Sequence, residues 1–218
     1  MAQCVHQRAK VTDMKKQIIA LTLLLALGAH AEEKGFKSLF NGKNLAGWKN
    51  AKYEVKDGVI ICRGRNLVTE KQYSNYVFEF EFLLPPGGNN GLGIHYPGNG
   101  DPAYSGMELQ ILDNSHPKYS KLKDYQFHGS LYTLQPAKRG HLKPLGEWNR
   151  QKVTVNGPLV RVVLNGTVIL DANLDKLNKE KPKHKGAQRR KGHICFCGHG
   201  DPVQFRNIKI KELPAKAP

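Results

Sequence analysis

Between Asn75 and Leu84 the chain reads NYVFEFEFLL, with apolar and polar positions in alternation. Tyr76, Phe78, Phe80 and Phe82 fall on one side of an extended strand, and Val77, Glu79, Glu81 and Leu83 on the other. The alternation predicts one aromatic, buried face and one mostly polar face. YEVKDGVIICRG (53–64) gives two shorter strands around Asp57-Gly58, a strong hairpin signal. WNRQKVTVNGPLVRVVLNGTVIL (148–170) supplies three more, turned at Asn156-Gly157 and Asn165-Gly166, and HICFCG and VQFRNIKIKEL close the chain. Only an apolar stretch near the N-terminus departs from this strand pattern, and no other segment holds a helical period. Many short strands with Gly-rich turns predict an all-β sandwich or jelly roll. Two irregular stretches, 85–105 and 113–128, exceed plain connectors and are expected to line a site. Within the first, GGNNG (87–91) reads as a tight turn.

The segment SGMELQILDN (105–114) puts charged and amide side chains into an otherwise strand-like run. Alternation sets Met107, Leu109 and Ile111 on the core face and Glu108, Gln110 and Leu112 on the other. A single bulge between Gln110 and Asp113 would bring Asp113 onto the Glu108 face, making a polar row at i, i+2 and i+5. Without the bulge, Asp113 faces elsewhere.

The apolar stretch, Ile18 to Leu27, follows a short basic start, Met14-Lys15-Lys16-Gln17, and precedes Ala29-His30-Ala31, an A-x-A cleavage site. It is short for a bilayer span. Residues 1–31 are therefore read as an upstream extension plus a cleavable export signal with its start at Met14. Residues 32–218 are read as one domain, secreted or periplasmic and without a transmembrane segment. Removing Arg8, Lys10, Lys15, Lys16 and Asp13 with the signal lowers the formal charge from +16 to +13. Much of the excess lies in KLNKEKPKHKGAQRRK (176–191), which has no apolar periodicity and reads as a solvated loop. It lacks the exposed aromatics or recognised fold of a nucleic-acid binder, so nucleic acid is excluded as a partner. Cys62, Cys195 and Cys197 are an odd number and define no disulfide framework.

SLFNGKNLAGW (38–48), LPPGGNNGLGIHY (84–96), MELQILDN (107–114), GSLY (129–132), GEWNRQKVTVNG (146–157), VVLNG (162–166) and GHGDPVQFRNIKIKEL (198–213) occur in that order. Together they resemble the 3-keto-disaccharide hydrolase domain family over nearly the whole mature chain. The resemblance implies a concanavalin A-like jelly-roll β-sandwich of two antiparallel sheets, and action on sugars oxidised at carbon 3. The chain departs from the family pattern at Cys195 and Cys197, where a small residue and a Gln are usual.

A ketone at carbon 3 acidifies the hydrogen on carbon 2 and lies beta to the glycosidic oxygen, so elimination followed by hydration breaks the bond. This needs a base, an acid for the leaving oxygen and an enolate stabiliser. Glu108 is the candidate base or acid, Asp113 its partner, and Gln110 an orienting group for a sugar hydroxyl. His199, in GHGDP, matches the family motif and is the second catalytic candidate. His95, Tyr96, Tyr132, Cys197 and Arg206 are candidate substrate contacts, with core packing the plain alternative for either Tyr and a surface ion pair for Arg206. The i, i+2, i+5 spacing also resembles the catalytic strand of laminarinase-type glycosidases, whose two carboxyls stand about 5–5.5 Å apart when retaining. His193, Cys195, Cys197 and His199 share one strand face, but alternate residues about 7 Å apart cannot all hold one tetrahedral ion. A divalent cation at His199 and Glu108 stays open, as an enolate stabiliser. The alternatives to this enzyme are an ordinary retaining glycosidase, a non-catalytic carbohydrate-binding module, or an envelope scaffold for an acidic polymer.

Overall fold

The computed structural model describes residues 34–49 and 53–214. The export signal and the Met14 start lie outside them. From Phe36 the chain forms one compact unit. Its strands, numbered in chain order, are β1 (Lys37–Ser38), β2 (Trp48–Lys49), β3 (Glu54–Lys56), β4 (Val59–Ile61), β5 (Leu67–Thr69), β6 (Tyr76–Leu83), β7 (Asn89–Tyr96), β8 (Met107–Leu112), β9 (Asn149–Asn156), β10 (Leu159–Leu164), β11 (Thr167–Asn173), β12 (His193–Phe196) and β13 (Gln204–Glu212). They form two antiparallel sheets. The larger runs β11-β10-β9-β6-β13-β4-β3, with β1 also on β13, and the smaller runs β2-β5-β12-β7-β8. This is the expected all-β sandwich. Among the described residues no helix is long and apolar enough to cross a membrane.

The core follows from the alternation. Tyr76, Phe78, Phe80 and Phe82 of β6 are buried, and so are Met107, Leu109 and Ile111 of β8 in the facing sheet. Phe196 of β12 and Phe205 of β13 stack across the sheets with ring centroids 3.9 Å apart, joining the two layers at the centre. On the outer face of the larger sheet, Glu79 is buried beneath Arg150 and Lys209 and paired with both.

Two expectations change. The stretch 85–105 is not one loop: β7 occupies Asn89–Tyr96, including three of the residues read as a turn, Asn89, Asn90 and Gly91. The basic run is not wholly a solvated loop, because the helix Leu174–Glu180 enters it. Asn173 caps that helix by accepting from Asp175 N and Lys176 N, and Leu174 and Leu177, three residues apart, are its buried contacts. Cys62, Cys195 and Cys197 are all free and buried.

β7 carries a bulge. His193 pairs with Tyr96 while Cys195 pairs with Gly93, so three steps along β7 oppose two along β12. His95 absorbs the extra residue at φ 52°. Tyr96 consequently joins Val68, Cys195 and Cys197 in a small cluster separate from the main core.

Candidate active site

Glu108 and Gln110 point away from the main core, yet both are nearly inaccessible. Their strand is gripped on both edges. β7 pairs with β8 in unbroken register, Gly93 opposite Glu108 and Gly91 opposite Gln110. On the other edge the loop after 126 adds backbone bonds: Gly129 N to Gln110 O (2.7 Å), Gln110 N to Ser130 O (3.0 Å) and Tyr132 N to Glu108 O (2.9 Å). Glycine is a weak strand residue, but here a side chain has no room. A Cβ at Gly91 would collide with the Glu108 carboxylate, and one at Gly93 with Cys195 Sγ. The bare backbone of β7 thus makes a trough, with Glu108 on one side and Cys195 and Cys197 on the other.

His199 follows β12 in a loop started by Cys197 N donating to Gly91 O at 2.8 Å. Its Nε2 lies 3.7 Å from Glu108 Oε1. That oxygen is buried and has no hydrogen-bond partner among the described residues. The Glu108 carboxylate raises the His199 pKa against the effect of partial burial, and Asp201 and Asp101 add to the rise. Beside the pair, Gln110 Nε2 donates to Asn89 Oδ1 at 2.7 Å, and Asn89 N donates to Asp201 Oδ2 at 3.0 Å. The arrangement sets a buried carboxyl oxygen beside an imidazole whose protonated form it favours, so one can take a proton while the other gives one.

The remaining candidates divide. Tyr96 and Cys197 border the trough, and Tyr96 Oη donates to Gly100 O. Tyr132 is half-buried with its hydroxyl accepting from Gln126 Nε2 at 3.1 Å. Asp113 is not brought to Glu108. The bulge is missing, since β8 pairs continuously from Met107 to Leu112, so Asp113 keeps the parity of the core face. Its carboxylate oxygens accept from Gly87 N (2.8 Å) and from Ser115 N and Oγ (2.9 and 2.5 Å), fixing the ends of two loops. Burial would raise its pKa, but the Ser115 and Gly87 donors outweigh that and hold the carboxyl below the usual range. Arg206 is on β13 in the other sheet, where it pairs with Glu81 at 2.7 Å and lies 4.0 Å over the Trp148 ring. There it makes the ion pair given as its plain alternative. His95 is buried at the bulge, and burial pushes its pKa down to about 4. It is a neutral packing residue.

His193 leaves the Cys row at the bulge and uses Nδ1 on Thr69 O at 2.8 Å. For a divalent ion at Glu108 and His199 a third donor is wanting: among the described residues no three His, Cys, Asp or Glu side chains are gathered to hold one. The residues present do not fit a resident metal. Sequence reasoning missed Asp101 and Tyr104. Asp101 caps the short helix Pro102–Ser105 by accepting from Ala103 N at 2.9 Å, and the Asp-Pro pair before SGMELQ was the available signal.

The model of the 3-keto-alpha-glucoside-1,2-lyase-like domain matches residues 35–211. A 3-keto-disaccharide hydrolase of Bacteroides thetaiotaomicron is 29% identical, with 82% of this chain and 79% of the relative covered. Among solved structures, a candidate glycosyl hydrolase from Parabacteroides distasonis superposes with a TM-score of 0.74 at 27% identity, covering 83% of this chain and 95% of that one. The carbohydrate binding module CBM66 from Bacillus subtilis shares the fold at a TM-score of 0.50 and 12% identity, covering 82% and 96%. With nearly all of its described residues matched by one family model, the chain belongs to the 3-keto-alpha-glucoside-1,2-lyase-like domain family.

Proposed function

We propose that this carbohydrate-active protein cleaves the glycosidic bond of 3-keto glycosides by elimination and hydration. The observation that carries the reading is the unpartnered, buried Glu108 Oε1 facing His199 across 3.7 Å. Glu108 removes the hydrogen on carbon 2, and the electron pair passes into the ketone as an enolate. The enolate then expels the oxygen on carbon 1, which takes its proton from His199. The products of this step are the free alcohol and a sugar with a carbon 1–carbon 2 double bond conjugated to the ketone. Water adds to carbon 1, its proton returning to His199, while Glu108 returns its proton to carbon 2. Both groups end as they began, so the cycle needs no external redox partner.

Burial of Glu108 keeps water from its carboxylate and strengthens its action on a bound sugar, while His199 stays open to solvent. Gln110, held by Asn89, is placed to orient a sugar hydroxyl. Ordinary retaining hydrolysis would need a second carboxyl about 5–5.5 Å from Glu108. Asp113, the expected partner, is committed to its loops.

The test is turnover of matched plain and 3-keto glucosides by the wild type and by Glu108→Gln. Cleavage is expected for the 3-keto member alone, with the substitution lowering kcat by about 10²–10⁴-fold, the scale of a lost general base. In deuterated water, carbon 2 should also gain deuterium in those turnovers in which Glu108 exchanges its proton with solvent before returning it. Cleavage of plain glucosides at the same rate, or full activity in Glu108→Gln, would overturn the mechanism.

A further inference from the structure

The basic run, unused by the catalytic reading, returns at the rim of the site. Residues 183–185 fold against the helix Pro102–Ser105 and, with Asp101, Tyr104 and Ser105, line an open cavity of about 350 Å³. This is within the range of small-molecule sites. The helix connects it to the trough: the side chain of Pro102 lies 3.4 Å from where a Cβ on Gly93 would stand, and Asp101, which caps that helix, is also one of the charges acting on His199.

The lining has a consistent chemistry. Tyr104 is the most exposed large hydrophobic residue among those described, at 53%, and its ring stands 6.3 Å from that of His184. Exposed aromatic rings of this kind stack on sugar or aryl faces. Lys183 and Lys185 are exposed, and neither has an ion-pair partner among the described residues. His184 Nδ1 accepts from Ala187 N at 3.2 Å, while its Nε2 is buried without a partner. The one lining carboxylate, Asp101, is turned toward the helix it caps. A ring on Tyr104 with a negative group at the two ammonium groups would engage the exposed part of this lining.

We propose that this cavity is the leaving-group subsite and that it selects a ring bearing a carboxylate, either an acidic sugar or an aromatic acid. The inference rests on the catalytic reading above, with the oxidised sugar over Gly91 and Gly93 and its leaving group extending past Asp101 and Tyr104.

The experiment uses two substrate pairs of equal shape and different charge. One pair is the 3-keto-glucosides of 4-hydroxybenzoate and 4-hydroxybenzamide. The other is 3-keto disaccharides that release glucuronate or glucose. KM is measured at low and high salt for the wild type, Lys183→Gln/Lys185→Gln and Lys183→Arg/Lys185→Arg. We expect the anionic member of at least one pair to have a KM about three- to tenfold lower, the scale of two exposed ion pairs. The advantage should shrink at high salt, fall toward one in the Gln variant and persist in the Arg variant. The pair that shows it identifies the acid. Equal KM within both pairs, with the neutral members turned over, overturns the subsite and leaves the catalytic reading standing. An advantage undiminished in the Gln variant overturns the assignment to these lysines. Turnover of no 3-keto glycoside at all overturns the catalytic reading itself, and the subsite with it.

Discussion

His199 titrates beside the Glu108 carboxylate, and the sign of its shift is testable. Because the carboxylate raises the His199 pKa, the imidazolium persists above the ordinary value of about 6.5. A step that draws its proton from His199 therefore fails as pH rises through the raised pKa. In Glu108→Gln the imidazole should titrate at lower pH, read from its ring-proton NMR shift. An unmoved titration would mean that the two groups are not coupled. The same linkage makes the pair stabilising below about pH 6.5, with that contribution fading as pH rises through the folded-state value. Glu108 was legible in the sequence because alternation alone put it opposite Met107 and Leu109. Asp113 was not, because its position turned on a bulge, and bulges leave no periodic mark. The bulge exists, but one strand over, at His95.

At the scale of elements, β6, the hairpin around Asp57-Gly58 and the run β9 to β11 were readable from period-2 patterns and turn residues. β7 was not. Glycine lacks strand propensity, and the reason for Gly91 and Gly93 is long-range: they make room for Glu108 and Cys195 from the strands on either side. Gly91→Ala tests this directly. The added methyl must displace the Glu108 carboxylate, so kcat should drop by about 10²-fold, the scale of an ångström's misplacement. The fold should lose about 1–3 kcal/mol, as for other overpacked sites, in chemical denaturation. Wild-type kcat in this variant would show that the carboxylate does not need its present position. The helix Leu174–Glu180 escaped notice for a related reason: it offers two buried leucines among lysines, too few for a period.

At the scale of the whole molecule, His95 and His128 are two deeply buried histidines that the catalytic site does not use. Burial pushes His95 down to about 4, and His128, stacked on Phe82 at 5.2 Å, down to about 3. Both stay neutral when folded at pH values where the unfolded chain has already taken up their protons. Stability from this source is thus full above about pH 6.5 and declines as pH falls toward their folded values, by about 3 kcal/mol per pH unit for the two once the unfolded imidazoles are charged. Urea midpoints from pH 7 to pH 4.5 should show the decline, and His128→Gln should flatten it; a midpoint independent of pH would contradict it. The two-sheet architecture itself was legible from short alternating strands, whereas the junction of the active site with the basic run was not, since it joins residues some 80 positions apart. The bulge at His95 has a last consequence, for chain length. It acts as a parity counter: up to Gly93 the odd positions of β7 face the trough, and beyond it an even one, Tyr96, does so. Substituting His95 preserves that count. Deleting it would leave Ile94 and Tyr96 in plain alternation with Tyr96 still toward the trough, so removing this one residue should be tolerated. Inserting a second one would instead turn Tyr96 inward and pull one wall off the active site.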